Sequence, residues 1–183
     1  RSGGENGGDI FVLAGADPGA TSDLTDAKPA GELEISGVTL DVRGSANNNN
    51  SVGDGGNIDV SAAGAVHVAA DVLIRADSAP NLPDGGGGFV AVASGENLGG
   101  AIASDADLEF GALVSARGTE IGGALWLYSH RDLTLSGPVD LSGGYAGQLL
   151  AWADRNTTIA GPIRVAATRP EGFGGSVELI AGR

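Results

Sequence analysis

The chain has 183 residues, of which 23 are acidic and 10 basic, giving a formal net charge of −13. Its single lysine, Lys28, and its scattered arginines offer no cluster of cations to neutralise phosphates, which argues against a nucleic-acid partner and an anionic membrane surface. With no cysteine there are no disulfides or zinc thiolate sites; no apolar run approaches the roughly 18 residues of a membrane span, and residues 1–8 have no signal-peptide core.

The 33 glycines and 4% aromatic content resemble low complexity, yet 42% of the residues are hydrophobic, and they alternate with polar ones as an ordered chain requires. In chain order, glycine pairs, or Ala146-Gly147 in one copy, open a repeated unit. The first is Gly7-Gly8-Asp9-Ile10-Phe11-Val12-Leu13-Ala14, and later copies start near residues 55, 87, 122, 146 and 174, at spacings of 48, 32, 35, 24 and 28. The clearest pair is ungapped: residues 122–129 align on 146–153 and residues 133–141 on 157–165, at a constant offset of 24. A fixed period of this size marks a repeat architecture in which each unit packs on its neighbours.

Each unit reads as three short strands of period two. The first follows the glycine pair, with Ile58 and Val60, Val90 and Val92, Leu125 and Leu127, and Leu149 and Ala151 inward. The second supplies Leu33 and Ile35, Val66 and Val68, Leu108 and Phe110, Leu133 and Leu135, and Thr157 and Ile159. The third supplies Val72 and Ile74, Val114 and Ala116, Val139 and Leu141, and Ile163 and Val165. Two-residue corners such as Ser136-Gly137, Ala69-Ala70 and Ala160-Gly161 join the second strand to the third, and residues 39–42 of the first unit are read as bulged to stay in phase.

One such unit cannot bury its own inner face, so the units stack. The expected fold is all-β: a single-chain parallel β-helix or solenoid spanning residues 1–183, of about five to six coils, right-handed by analogy with known β-helices. Insertions fall at two corners: residues 15–30 and 94–104 after the first strand, and residues 45–54, 77–86 and 167–173 after the third. The remaining corner is bare, so loops on the other two corners are the expected binding features.

Units of the form Gly-Gly-x-Ile-x-Val-x-Ala, a variable corner, Leu-x-Leu-x-Gly and Val-x-Leu-x-Gly-Gly, best seen in residues 55–76 and 122–166, resemble the repeats of filamentous-haemagglutinin-like secreted proteins. That resemblance implies a right-handed β-helical shaft, export across a bacterial outer membrane, a secreted or cell-surface location, and a role in adhesion or surface display. The N-terminal secretion domain of such proteins is not recognisable here, and the last coil is unfinished at Arg183, so an internal segment or excised domain is expected.

On the outward side of the first strands, Trp126, Tyr128 and Trp152 gather into one aromatic strip together with Phe11, Leu13 and Leu150. Flat rings in a row suit stacking on sugar rings or contact with a protein partner, and they equally suit cover by an inserted loop or a neighbouring coil. Beside them, the corner after the first strand stacks Asp105, His130 and Asp154, then Ala106, Arg131 and Arg155, then Asp107, Asp132 and Asn156. Carboxylates and a histidine one coil apart suit acid–base cleavage of a polysaccharide, whereas the simpler reading is a salt-bridged ladder. Asp54-Gly55-Gly56-Asn57-Ile58-Asp59 is a single, untandemed echo of a calcium-binding repeat, and His67 is expected outward and solvated.

The expectation is therefore a non-enzymatic adhesive or structural solenoid without cofactor or metal. It would present loops and the strip to a surface glycan or a protein, or self-associate through the strip or the solenoid ends. The alternative is a carbohydrate-binding or polysaccharide-degrading β-helix, hydrolase or lyase, using Trp126, Tyr128 and Trp152 with His130, Asp132, Asp154 and Arg155.

Overall fold

The computed structural model describes residues 6–14, 31–45, 53–80, 83–96 and 105–182, and among these there is no helix. The strands come in sets of three. The first set is β1 (Asp9–Ala14), β2 (Leu33–Ile35) and β3 (Thr39–Asp41); the second is β4 (Asn57–Ala62), β5 (Val66–Val68) and β6 (Leu73–Arg75). Next come β7 (Phe89–Ser94), β8 (Leu108–Phe110) and β9 (Leu113–Ser115), then β10 (Ala124–Ser129), β11 (Asp132–Leu135) and β12 (Val139–Asp140). The last are β13 (Gln148–Ala153), β14 (Asn156–Ile159), β15 (Ile163–Arg164) and β16 (Ser176–Ala181).

Every third strand joins the same sheet, and every pairing is parallel. One sheet runs β1-β4-β7-β10-β13-β16, a second β14-β11-β8-β5-β2 and a third β15-β12-β9-β6-β3. This is a parallel β-solenoid, as the glycine-pair spacing predicts. The 24-residue repeat is the register itself, with Leu125 opposite Leu149 and Leu133 opposite Thr157.

Because side chains alternate across each strand, the inward residues of successive coils stack directly on one another. Ile58, Val90, Leu125 and Leu149 form one such stack, each wholly buried, and Leu108 with Leu133 and Phe110 with Leu135 form two more on the second sheet. In the outermost sets the inward residues are covered on one side only: Ile10, Val12, Leu40, Ile159, Ile163 and Val165 are half-buried against the same core.

The glycine pairs mark where the backbone of one coil turns tightly over the end of its third strand. Gly123 N donates to Ala116 O at 2.7 Å, and a Cβ at Gly123 would come within 2.3 Å of Gly88 O. No side chain fits at this position between these coils, so a glycine recurs just before the first strand at Gly56, Gly88, Gly123, Gly147 and Gly175. At the next corner two serines point inward; Ser94 Oγ and Ser129 Oγ both donate to Ala106 O, at 3.1 and 2.8 Å, which satisfies their burial.

The corner between the second and third strands differs from expectation in two coils. Ile74, not Val72, pairs with Val114, and Val72 sits one step earlier, its carbonyl accepting from Leu113 N at 3.0 Å. Five residues separate Val68 from Ile74, four separate Ile35 from Leu40, and three separate Phe110 from Val114. The Ala69-Ala70 corner is therefore longer than two residues; a turn closed by Val72 N donating to Ala69 O at 3.2 Å tucks Val72 into the core. The first unit likewise has no strand bulge: β3 pairs with β6 without a break, and the extra residue is absorbed in the corner, where Gly37 takes φ 64° and donates its N–H to Asp71 Oδ1 at 3.0 Å.

Insertion residues 15–30, 46–52, 81–82 and 97–104 lie outside the described residues.

Candidate functional site

The strands of the first sheet are six residues long, enough to place three outward residues each. Register then builds rows along the stacking direction. One row is Phe11, Asp59, Ala91, Trp126, Leu150 and Glu178, and the next is Leu13, Ser61, Ala93, Tyr128, Trp152 and Ile180. Residue size along these rows is what shapes the surface. Bulky Phe11 and Leu13 stand on one coil, small Asp59, Ser61, Ala91 and Ala93 on the next two, and Trp126 and Tyr128 rise again on the fourth. The result is a groove of about 690 Å³, floored by the small residues and walled by rings.

The rings are held edge to face. Phe89 meets Trp126 at 5.0 Å between centroids with an 83° interplanar angle, and Tyr128 meets Trp152 at 5.5 Å and 81°. Such contacts fix ring planes without burying them. Trp126 is 44% exposed, while Tyr128 and Trp152 are half-buried. Phe89 is absent from the strip that the sequence offsets define, although it lies on the outward face two residues before Ala91.

Among the described residues two carboxyl groups enter the groove, Asp59 and Glu96, and no lysine or arginine lines it. Burial pushes the Glu96 carboxyl above its usual range; nearby His130 opposes the shift and Asp59 reinforces it. Glu96 escapes a reading of the sequence because it follows the strand in a variable corner, outside any repeat position.

The polar corner divides. Arg131 Nε donates to Asp107 Oδ1 at 2.5 Å, Arg155 Nε donates to Asp132 Oδ1 at 2.8 Å, and Asn156 Nδ2 donates to the same Asp132 oxygen at 2.8 Å. The second guanidinium nitrogens complete both forks, Arg131 to Asp107 and Arg155 to Asp132. Hydrogen bonding from Arg155, then Asn156, holds the Asp132 carboxyl down at about 2, and Arg131 lowers that of Asp107. A carboxylate held this way stays ionised and has no proton to give.

His130 behaves differently. Its side chain is 3% exposed, Nδ1 lies 3.1 Å from Asp154 Oδ2, and Tyr128 packs edge-on against its ring at 4.7 Å. Its Nε2 is buried and makes no hydrogen bond among the described residues. The candidate residues therefore fall into three places: Trp126, Tyr128 and Trp152 line the groove, His130 and Asp154 pair beneath its edge, and Asp132 and Arg155 are locked in the corner ladder.

The calcium-like stretch is occupied otherwise. Asp54 Oδ1 accepts from Gly86 N at 2.7 Å, and Asp59 faces the groove. No three carboxylates or histidines among the described residues are grouped to hold a metal ion. His67 is outward as expected, but its Nδ1 lies 2.9 Å from Glu109 Oε2, so it is paired as well as solvated. No family model matches the chain, nor does any curated protein or solved structure.

Proposed function

We propose that this chain is a non-enzymatic, adhesive β-solenoid of a secreted or cell-surface protein, and that the aromatic groove is its adhesive site. The observation that carries the reading is the groove itself: two small-residue coils between ring-bearing walls, on the outward face of the sheet. The resemblance of the repeats to filamentous-haemagglutinin-like shafts supports export and surface display.

The ligand chemistry follows from the lining. Trp126 offers an exposed indole face for a pyranose ring, and Asp59 and Glu96 offer oxygen acceptors for hydroxyl or amino groups. With two acids and no cation among its described lining residues, the groove suits neutral or amino-bearing sugars and opposes uronates and sialylated chains.

A glycan array tests this. Binding to neutral or amino sugars, lost in Trp126→Ala and Trp152→Ala while far-UV circular dichroism is unchanged, is the expected result. No binding, or binding indifferent to both substitutions, removes the reading.

A second reading has its own support. Glu96, whose carboxyl burial pushes above its usual range, shares the groove with Asp59, and two carboxyl groups whose surroundings push their acidities apart are what glycosidic cleavage uses. Reducing-end release from a neutral polysaccharide, abolished by Glu96→Gln with binding retained, would favour it over the adhesive reading.

A further inference from the structure

The third sheet has an outward face of another kind. Its register places one residue of each strand in a row: Asp41 beside Arg75, Arg75 beside Ser115, Ser115 beside Asp140, and Asp140 beside Arg164. Read along the stacking direction, the charges run negative, positive, neutral, negative, positive. Next to it lies a second row that starts at Thr39 and continues through Leu73, Leu113, Pro138 and Pro162, and beyond its first strand the two rows line a concavity of about 720 Å³. Leu113, at its centre, is 42% exposed.

The charged row reverses sign when read backwards. If an identical row is laid on it upside down, Asp41 meets Arg164, Arg75 meets Asp140, and Ser115 meets itself. If it is laid in the same direction, every charge meets its like. In the inverted arrangement the apolar row also meets itself, with Leu73 opposite Pro138 and Leu113 opposite Leu113. The guanidinium groups of Arg75 and Arg164 make no side-chain hydrogen bond or close ion pair among the described residues, although the charge of Arg75 is felt by its neighbour Asp41, so both can turn to a partner. The two carboxylates are shared: Asp41 also accepts from Arg43, and Asp140 from Ser142.

We propose that this face pairs with a second copy of the chain, the two solenoids antiparallel about a two-fold axis that lies in the face and runs along β9 through Ser115. Such an interface is isologous, the same patch on both partners, and self-complementary in charge and in apolar surface. One contact opposes it: Arg117, two residues beyond Ser115, meets its own copy. Asp77 offsets this, accepting from Arg117 Nε at 3.4 Å and from Arg117 N at 2.8 Å. Five short strands give a face smaller than the roughly 800 Å² per partner of a standard interface, so the dimer is weak and loosens with salt.

Sedimentation equilibrium of the chain, at concentrations up to about 1 mM and at low and high salt, reads the association directly. The expected result is a reversible dimer, weakened at least tenfold by Asp41→Arg and by Arg164→Asp, and regained in the double variant D41R/R164D. Within its own chain the double variant keeps the like-charge neighbours that each change creates, since the new cation still faces Arg75 and the new carboxylate still faces Asp140. Recovery can therefore come only from the contact between copies. Leu113→Lys, on an exposed position that leaves the fold intact, should abolish the dimer. A monomer at every concentration, a double variant as monomeric as the singles, or a dimer lost to Trp126→Ala instead overturns the proposal.

Discussion

The outer faces of the first and third sheets rest on the same core yet present opposite chemistry. The first has six-residue strands, a groove and edge-on rings; the third has strands of two or three residues, alternating charge and a row of leucine and proline. Stacking dictates the inward residues of both equally and says nothing about the outward ones. The outward residues also pair across strands, as Tyr128 does with Trp152 and Asp140 with Arg164, so the proposed recognition roles rest on the part of each face that these pairs leave exposed.

The largest effect should come from attacking what both faces share. Leu133 is 1% exposed between Leu108 and Thr157, so Leu133→Asp buries an unpaired carboxylate and should cost several kcal/mol, lowering the thermal midpoint or unfolding the chain and abolishing the properties of both faces together. An intact, equally stable variant would show the inward set to be wrong. In contrast, Trp126→Ala and Leu113→Lys should each silence only its own face, glycan binding for one and pairing of copies for the other, with melting curves close to the parent.

A smaller effect separates the faces from the corner between the first and second sheets. The folded-state carboxyl of Asp132 titrates at about 2, below its ordinary value of 3.8, so its ion pair stabilises the fold above that higher value and the contribution fades as pH falls through about 2. Asp132→Asn should therefore flatten stability against pH between about 4 and 2 and converge with the parent below that window, as acid-titrated melting curves will show. The smallest effect is expected on the second sheet, where His67 and Glu109 are both mostly exposed: a double-mutant cycle should find a coupling below about 1 kcal/mol that vanishes in high salt.

How far the sequence alone can be read follows from what each signal encodes. The glycine just before each of β4, β7, β10, β13 and β16 marks a physical clash, so it locates the start of those strands and with it the register of the longest sheet. Alternation gives the inward residues, because burial is tied to parity. Parity also explains the miss at the second coil: Val72 and Ile74 face the same way, and a slip of two residues leaves the alternation untouched, so only the pairing of Ile74 with Val114 decides between them. The groove is half legible. Trp126, Tyr128 and Trp152 fall on one strip by offset, but Glu96 belongs to a corner with no repeat position, and the depth of the groove depends on what is small, Ala91 and Ala93, which draws no notice in a search for chemically active residues. The charge row of the third sheet is hidden by the same two-residue slip, since it emerges only when Arg75 is set beside Ser115.

The serine pair at Ser94 and Ser129 stands where the neighbouring coils have Ala62 and Ala153. Both hydroxyls are tied to one carbonyl, that of Ala106, which belongs to the chain segment returning after the corner that follows β7. That anchorage works as a latch. Whatever length of chain departs after Ser94, its return point is pinned to two successive strands, so the corner can be lengthened, shortened or exchanged without shifting the strands that form the groove.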